Sequence, residues 1–360
     1  MKRYLTTAVF SFILIFFCTG YFVSQKSALS LAERRALADI PVISQESIES
    51  GDFFDGLDDF LTDNIIFRDA LRSIKARFQT YVLGMKENNS IACENGYFSK
   101  IEKRLNVASM NNLLSKCDEI YNLYLSGKNT KNRISVIPDK GYFFAKEFGY
   151  PSLDYGAVSE AFKTYERAEY IDLFGALSLD DYYKTDTHWS QNKLLGVLRV
   201  LGEKMGFKAA KEYDVSVFSP FYGVYCGQSA LSPAPDTIYY LTNEVINACA
   251  ARDLETGEEI RIYDFDAAGG GDGYDLFLGG TRGVIKIESP LADSEREIVV
   301  FKDSYGSSLA PLLACSYKAV ILVDTRLIYA DKIGEYVDFS DKDVLFLYSV
   351  LSVQNSFSMR

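Results

Sequence analysis

The chain is 360 residues long and carries 49 acidic against 38 basic side chains, a formal charge of -11. That balance argues against a nucleic-acid surface, because neutralising phosphates takes clustered Lys and Arg, and the sequence has no such cluster. With 48% hydrophobic and 14% aromatic residues, it has enough apolar material for two domains or for one large domain with an appended segment.

Lys2 and Arg3 precede an almost uninterrupted apolar run over residues 4–23. At 1.5 Å of rise per residue, about 20 residues match the hydrocarbon thickness of a bilayer, so the run is long enough to span one. The positive charges in front of it predict an inside start and an extracytoplasmic body. A cleaved signal peptide, which would make the protein secreted, is the competing reading. The length of the apolar run and the lack of an A-x-A site after it favour an uncleaved anchor. Cys93, Cys117, Cys226, Cys249 and Cys315 would then lie outside the membrane, where disulfides form. Their odd number and wide spacing point to isolated thiols. One histidine and scattered cysteines also exclude the usual zinc arrangements, and neither metal nor cofactor is expected.

A polar stretch over residues 24–39 leads into an acidic, aromatic segment, residues 48–83. There Phe60, Ile65, Phe67, Leu71, Ile74 and Phe78 recur at near-helical spacing. The pattern predicts one or two amphipathic helices forming a stalk or collar. From about residue 91 short apolar runs alternate with helical ones. Ile134-Ser135-Val136-Ile137-Pro138, Ile298-Val299-Val300-Phe301, Ala319-Val320-Ile321-Leu322-Val323 and Val344-Leu345-Phe346-Leu347-Tyr348 read as strands buried on both faces of a parallel sheet. Residues 110–125, 191–205 and 307–315 read as helices between them. This alternation predicts a layered α/β domain.

The single histidine, His188, follows Asp186 by two residues and adjoins the only tryptophan, Trp189. In an extended segment residues i and i+2 point the same way. Asp186 is thus expected to reach Nδ1 of His188 and leave Nε2 free as a general base. The alternative is a histidine with a purely structural role. Ser190 is expected to N-cap the next helix, with Leu194, Val197, Leu198, Leu201 and Met205 on its buried face and Gly206 at its end. That helix would place its partial positive charge near the imidazole.

A nucleophile is expected at Ser304. It lies in Lys302-Asp303-Ser304-Tyr305-Gly306-Ser307-Ser308, between a buried strand and a helix, where a serine is exposed at the carboxyl edge of the sheet. The alternative is that these serines only cap the helix.

Asp186-x-His188-Trp189 followed far downstream by Lys-Asp-Ser304-Tyr resembles the DHHW family of SGNH-hydrolase-like proteins, relatives of the extracytoplasmic alginate O-acetyltransferases. The resemblance extends through Glu33-Arg34-Arg35-Ala36-Leu37, Asp63 with Phe67-Arg68-Asp69, Glu94-Asn95-Gly96-Tyr97, Val136-Ile137-Pro138-Asp139-Lys140, Phe221-Tyr222-Gly223, Phe277-Leu278-Gly279-Gly280 and Asp343-Val344-Leu345-Phe346-Leu347-Tyr348. It departs at Thr187, where the family carries a second histidine.

The resemblance implies an SGNH-like fold with Asp186 and His188 preceding Ser304, a permuted triad order. Residues 1–25 would be the membrane anchor or signal segment, 26–88 the helical stalk or collar, and 89–360 the SGNH-like catalytic domain. Ser304 would take an acyl group, with its own N–H and Gly279 or Gly280 as oxyanion donors. Tyr182, Tyr183, Trp189 and Tyr305 are expected acceptor contacts. The implied activity is O-acetylation of a cell-surface polysaccharide, with acetyl supplied by a membrane-bound acyltransferase. Two alternatives remain, a carbohydrate acetyl esterase with the same triad and a non-catalytic polysaccharide-binding or assembly factor. Gly269-Gly270-Gly271-Asp272-Gly273-Tyr274-Asp275-Leu276-Phe277 contains one copy of a pattern used by calcium-binding β-helix repeats, but such sites need stacked copies, and a flexible loop before Phe277-Leu278-Gly279-Gly280 is expected instead.

Overall fold

The computed structural model describes residues 2–23 and 27–360. The chain divides into two compact units, Met1–Asn89 with Val224–Pro233, and Ser90–Gly223 with Ala234–Arg360. The expected boundary between anchor and collar, at residues 25 and 26, lies outside the described residues.

In the first unit the apolar run forms one helix, Lys2–Val23. Its stretch Tyr4–Tyr21 has a mean hydropathy of 1.7 and no buried residue, and it is long and apolar enough to cross a membrane by length and composition. Helices Gln45–Ser50, Asp52–Asn64 and Arg68–Arg77 follow, the last running into a π turn, Phe78–Val82. Gly51 separates the first two with a φ of 91°, a left-handed conformation that favours glycine.

Ion pairs tie these pieces together. Arg35 forks onto Asp63 at 2.7 and 2.6 Å, and the Ala38 N–H donates to the same carboxylate at 3.0 Å. Glu33 takes Arg68 and, at 2.8 Å, Arg72, which also donates to the Gly227 carbonyl at 3.1 Å. The Arg35 hydrogen bonds hold the Asp63 carboxyl well below the usual carboxylate range, so its stabilising contribution is present at neutral pH and is lost on acidification. Of the predicted apolar stripe only Phe60 is buried; Phe67, Leu71, Ile74 and Phe78 are exposed.

The second unit is built on an eight-stranded sheet. Its strands are β1 (Lys131–Ile137), β2 (Glu169–Tyr170), β3 (Ala250–Asp253), β4 (Glu259–Ile260), β5 (Val284–Glu288), β6 (Glu297–Lys302), β7 (Ala319–Val323) and β8 (Asp343–Ser349). The spatial order is β4-β3-β5-β7-β6-β8-β1-β2. Strands β7, β6, β8, β1 and β2 pair in parallel, while β5, β3 and β4 extend one edge antiparallel. The four predicted strands occupy the parallel part, and β8 is buried along its whole length.

Alternate residues of the central strands feed two cores, as the pleat requires. Ile298 and Val300 pack on one face with Trp189, Leu198 and Leu309, and Val299 and Phe301 on the other with Leu113 and Val158. The helices on these faces are Leu195–Met205 and Tyr305–Leu313 on the first side, and Val107–Ile120 and Tyr155–Lys163 on the second. All six cysteines are free thiols.

The carboxyl edge of the parallel strands collects polar side chains. At its interior Lys302 and Asp324 face each other at 3.9 Å with no exposed side-chain surface. Arg326 forks onto Asp324 at 2.8 and 2.6 Å, and the Lys302 ammonium donates to Ser307 at 3.0 Å. Burial pushes the Lys302 pKa down, with Asp324 opposing. Removing one partner of such a group strands a buried charge. Asp324→Asn, which keeps the shape and deletes the charge, is expected to cost about 3–5 kcal/mol in denaturant unfolding. A loss under about 1 kcal/mol would contradict this role.

Candidate active site

Strand β6 ends at Lys302, and the Tyr305–Leu313 helix starts two residues past Asp303, leaving Ser304 at its N-cap. The turn is fixed by Asp303, a buried carboxylate that accepts from the Tyr305 N–H at 3.1 Å, the Ser349 N–H at 2.7 Å and the Ser352 hydroxyl at 2.7 Å. Ser349 closes β8, so the carboxylate ties the end of one strand to the turn after its neighbour. Every residue of the following helix is buried, and Ser304 alone at the junction is half-buried.

His188 and Asp186 arrive on a second element, a short hairpin closed by the Tyr182–Trp189 bridge. The Tyr183 N–H donates to the His188 carbonyl at 3.1 Å and the Ser190 N–H to the Asp181 carbonyl at 2.7 Å. Residues 184–188 bend rather than run extended. The predicted proximity of Asp186 and His188 therefore arises from a turn, in which Asp186 Oδ1 accepts from both the His188 backbone N–H, at 3.0 Å, and Nδ1, at 2.6 Å. With Nδ1–H committed to the carboxylate, Nε2 points at Ser304 Oγ at 2.7 Å. Asp186 is fully buried and His188 only 6% exposed.

Three features pin this hairpin. The buried Lys140 ammonium donates to the carbonyls of Tyr183, Lys184 and Asp186 at 2.8, 3.0 and 2.5 Å. Asp236 accepts from the Lys184 N–H at 3.1 Å, the Thr185 N–H at 2.7 Å and the Thr185 hydroxyl at 2.6 Å. Gly223 donates its N–H to Thr185 Oγ1 at 3.0 Å and lies so close that a Cβ there would sit 2.3 Å from the Thr185 carbonyl carbon. Glycine is required by this approach.

The imidazole is held on its faces as well. The Tyr274 ring stacks on it at 3.8 Å between centroids and 6° between planes, and the Tyr305 ring tilts against it at 4.9 Å. The Tyr274 hydroxyl donates to Ser308 Oγ at 2.8 Å, which also accepts from Trp189 Nε1 at 2.9 Å.

Several expectations change. Tyr182, Tyr183, Trp189 and Tyr305 do not face an acceptor; each is at most 4% exposed. Tyr182 donates to the Pro138 carbonyl, Tyr183 packs on Phe221 and Tyr274, and Tyr305 donates to the Thr187 carbonyl at 2.7 Å. They are framework. Gly279 and Gly280 take left-handed φ values of 68° and 91°, and a Cβ on them would meet Asp264 and Arg282 or Asp275 respectively, so a turn conformation accounts for both glycines.

The helix after His188 also starts later than predicted. Ser190 donates to Asn192 instead of capping, residues Gln191–Lys193 form a 3₁₀ turn, and the α-helix begins at Leu195. Gln191 is responsible, since its buried amide is held by the Ser308 carbonyl at 2.7 Å and the Leu241 N–H at 2.7 Å. The predicted buried face and the Gly206 terminus are as expected.

Sequence reasoning missed Lys140, Asp236 and Tyr274. Lys140 stood in the Val136-Ile137-Pro138-Asp139-Lys140 motif just past a strand end, a usable signal. Tyr274 lies within the glycine-rich stretch expected to be a flexible loop; there Gly273–Leu276 form a 3₁₀ turn, and Asp272 accepts from the Tyr274 N–H at 2.9 Å. Among the described residues no cluster of His, Cys, Asp and Glu could hold a metal ion.

No family model matches the chain, and no curated protein sequence does. Among solved structures the chain is similar to a DHHW family protein from Eubacterium siraeum DSM 15702, with a TM-score of 0.61 and 18% identity over 76% of this chain and 94% of that one. It is also similar to Bacillus cereus PatB1, with a TM-score of 0.57 and 18% identity over 73% of this chain and 97% of that one. The same protein with a sulfonyl adduct gives a TM-score of 0.56 and 20% identity over 73% and 96%. At these identities the likeness is one of fold. The DHHW resemblance read from the motifs thus has a structural counterpart.

Lys140 gives this account of the hairpin a direct check. Lys140→Met removes the donor to three backbone carbonyls while roughly keeping the volume. It is expected to destabilise the protein by at least about 2 kcal/mol, since each unsatisfied buried acceptor costs about 1–3. A melting curve matching the unsubstituted protein would contradict it.

Proposed function

We propose that this protein is an extracytoplasmic O-acetyltransferase that delivers acetyl groups to hydroxyls of a cell-surface polysaccharide through an acyl-Ser304 intermediate. The observation that carries the reading is the hydrogen-bonded run from Asp186 through His188 to Ser304. It has the geometry of a charge-stabilised general base beside a nucleophile.

In the first half-reaction Ser304 Oγ attacks the carbonyl carbon of an acetyl ester while His188 Nε2 takes the hydroxyl proton. Asp186 holds Nδ1–H and stabilises the imidazolium that forms. The oxyanion receives the Ser304 backbone N–H, at a helix N-terminus where negative charge is favoured. Collapse breaks the ester bond, and His188 returns the proton to the departing alcohol. In the second half a sugar hydroxyl loses its proton to His188 and attacks the acyl-serine, which yields the acetylated glycan and restores Ser304.

The donor is a membrane-bound acyltransferase, as the motif resemblance implies, and the helix Lys2–Val23 keeps the enzyme at the same membrane with its body outside. The carbohydrate esterase differs only in using water in the second half-reaction. The two readings separate by product.

Incubating the protein with an activated acetyl ester and an oligosaccharide acceptor should give an acetylated sugar, detected by mass spectrometry. Free acetate as the sole product would favour the esterase. In the same assay Ser304→Ala is expected to fall to background and Asp186→Asn by about 10⁴-fold with the fold retained. Near-normal rates in either variant would exclude the triad as the source of the activity, and no turnover by the unsubstituted protein would favour the non-catalytic role.

A further inference from the structure

We propose that the exposed apolar stripe of the helix Arg68–Arg77 and its π turn rests on the phospholipid surface, giving the chain a second membrane contact beside the N-terminal helix. The inference builds on the reading of the Lys2–Val23 helix as a bilayer span, and the experiment below tests the two separately.

The stripe consists of Phe67, Leu71, Ile74, Phe78 and Tyr81, all exposed, at 67%, 38%, 65%, 52% and 77%. Their spacing of four and three residues stacks them on one side of a helix. The opposite side is occupied: Arg68 and Arg72 reach Glu33, and Ala76 is buried. Single exposed apolar residues are ordinary, but a continuous row of large ones is a contact surface waiting for an apolar partner. Exposed Lys75 and Arg77 stand beside the row, the arrangement of a helix lying in a headgroup layer with cations toward lipid phosphates.

The occupant follows from connectivity within this unit. Residues 24–26 alone separate the membrane-length helix from Ser27, so the chain re-emerges within roughly 14 Å of the end of that helix. The segment that emerges is welded to the striped helix through Glu33, and through Arg35 and Asp63 to the helix before it. The end of the membrane-length helix also meets this region, with Tyr21 edge-on to Phe60 at 5.8 Å and Gly20 against Ile66. Ile66 immediately precedes the first residue of the stripe. A row of apolar side chains held this close to a bilayer has lipid as its nearest apolar partner.

The test reconstitutes the full chain into vesicles of neutral and anionic phospholipid containing a trace of a phospholipid with a photoactivatable diazirine high on its acyl chain. After illumination, labelled peptides are mapped by mass spectrometry. Labels on peptides carrying Phe67, Leu71, Ile74 and Phe78, together with labels on residues 4–21, support the proposal. Labels confined to residues 4–21 overturn it while leaving the span intact, and point instead to a protein partner for the stripe. Labels on the stripe without labels on residues 4–21 support the surface contact and overturn the span. In the doubly substituted Ile74→Asp/Phe78→Asp chain, with unchanged circular dichroism, stripe labelling should drop about tenfold while residues 4–21 keep theirs. Undiminished stripe labelling in that variant, or equal labelling of exposed Leu327 and Phe357 in the other unit, would mark the signal as unspecific and overturn the proposal.

Discussion

Asp186 is a carboxylate with no exposed surface, and burying such a group is costly unless its oxygens are hydrogen-bonded and its charge has a partner. Here one oxygen takes both the backbone and the ring N–H of His188. The residue that closes the turn therefore also orients the imidazole, and the ring cannot move without leaving a buried acceptor short. The surrounding sheet edge keeps that turn in place. Lys140, just past the end of β1, donates to the carbonyls of Tyr183, Lys184 and Asp186, while Asp236 accepts from the N–H groups of Lys184 and Thr185. The approach of Gly223 to Thr185 leaves no room for slack.

Ser304 is positioned by a separate device with the same logic. Asp303 uses both oxygens on three donors, from the turn, from Ser349 at the end of β8 and from Ser352 just beyond it, so the strand-to-helix junction is fixed by a carboxylate one residue away from Ser304. The two carboxylates thus do different work, Asp303 on the backbone of the serine and Asp186 on the ring of the histidine. Trp189, Tyr274 and Ser308 join the two elements, since Ser308 sits in the serine's helix and accepts from both aromatic side chains. On the proposed reading, such a preorganised site needs little rearrangement when charge develops.

The parallel core was legible because strands buried on both faces must be continuously apolar, and β6, β7 and β8 are. The antiparallel edge was not. Its strands Ala250–Asp253 and Glu259–Ile260 are short and half polar, and nothing local separates them from loop. The Asp186, His188 and Ser304 set could be read because each lies beside a recognisable break in pattern. The groups that hold those residues could not, because Lys140, Asp236 and Tyr274 act over long sequence separations through backbone carbonyls, N–H groups and ring faces, which impose no local periodicity. The aromatic neighbours were misread for a related reason. Adjacency in sequence to a site says nothing about which way a ring points, and burial decided it. In the collar, helical spacing was correctly read as helix, but the ion pairs of Glu33 and Asp63 that tie it together impose no periodicity and were not legible.

The central claim is that Ser304 becomes acylated by the action of His188, and the intermediate itself is the most direct object to look for. A serine-directed sulfonyl fluoride, which competes for an activated hydroxyl, is a companion probe. Rapid acid quench of the protein after mixing with an activated acetyl ester, followed by peptide mass spectrometry, reads the site of attachment. The account predicts one acetyl group on the peptide containing Ser304, blocked by prior sulfonylation. An acetyl group on another residue under the same quench, with Ser304 unmodified, would contradict it.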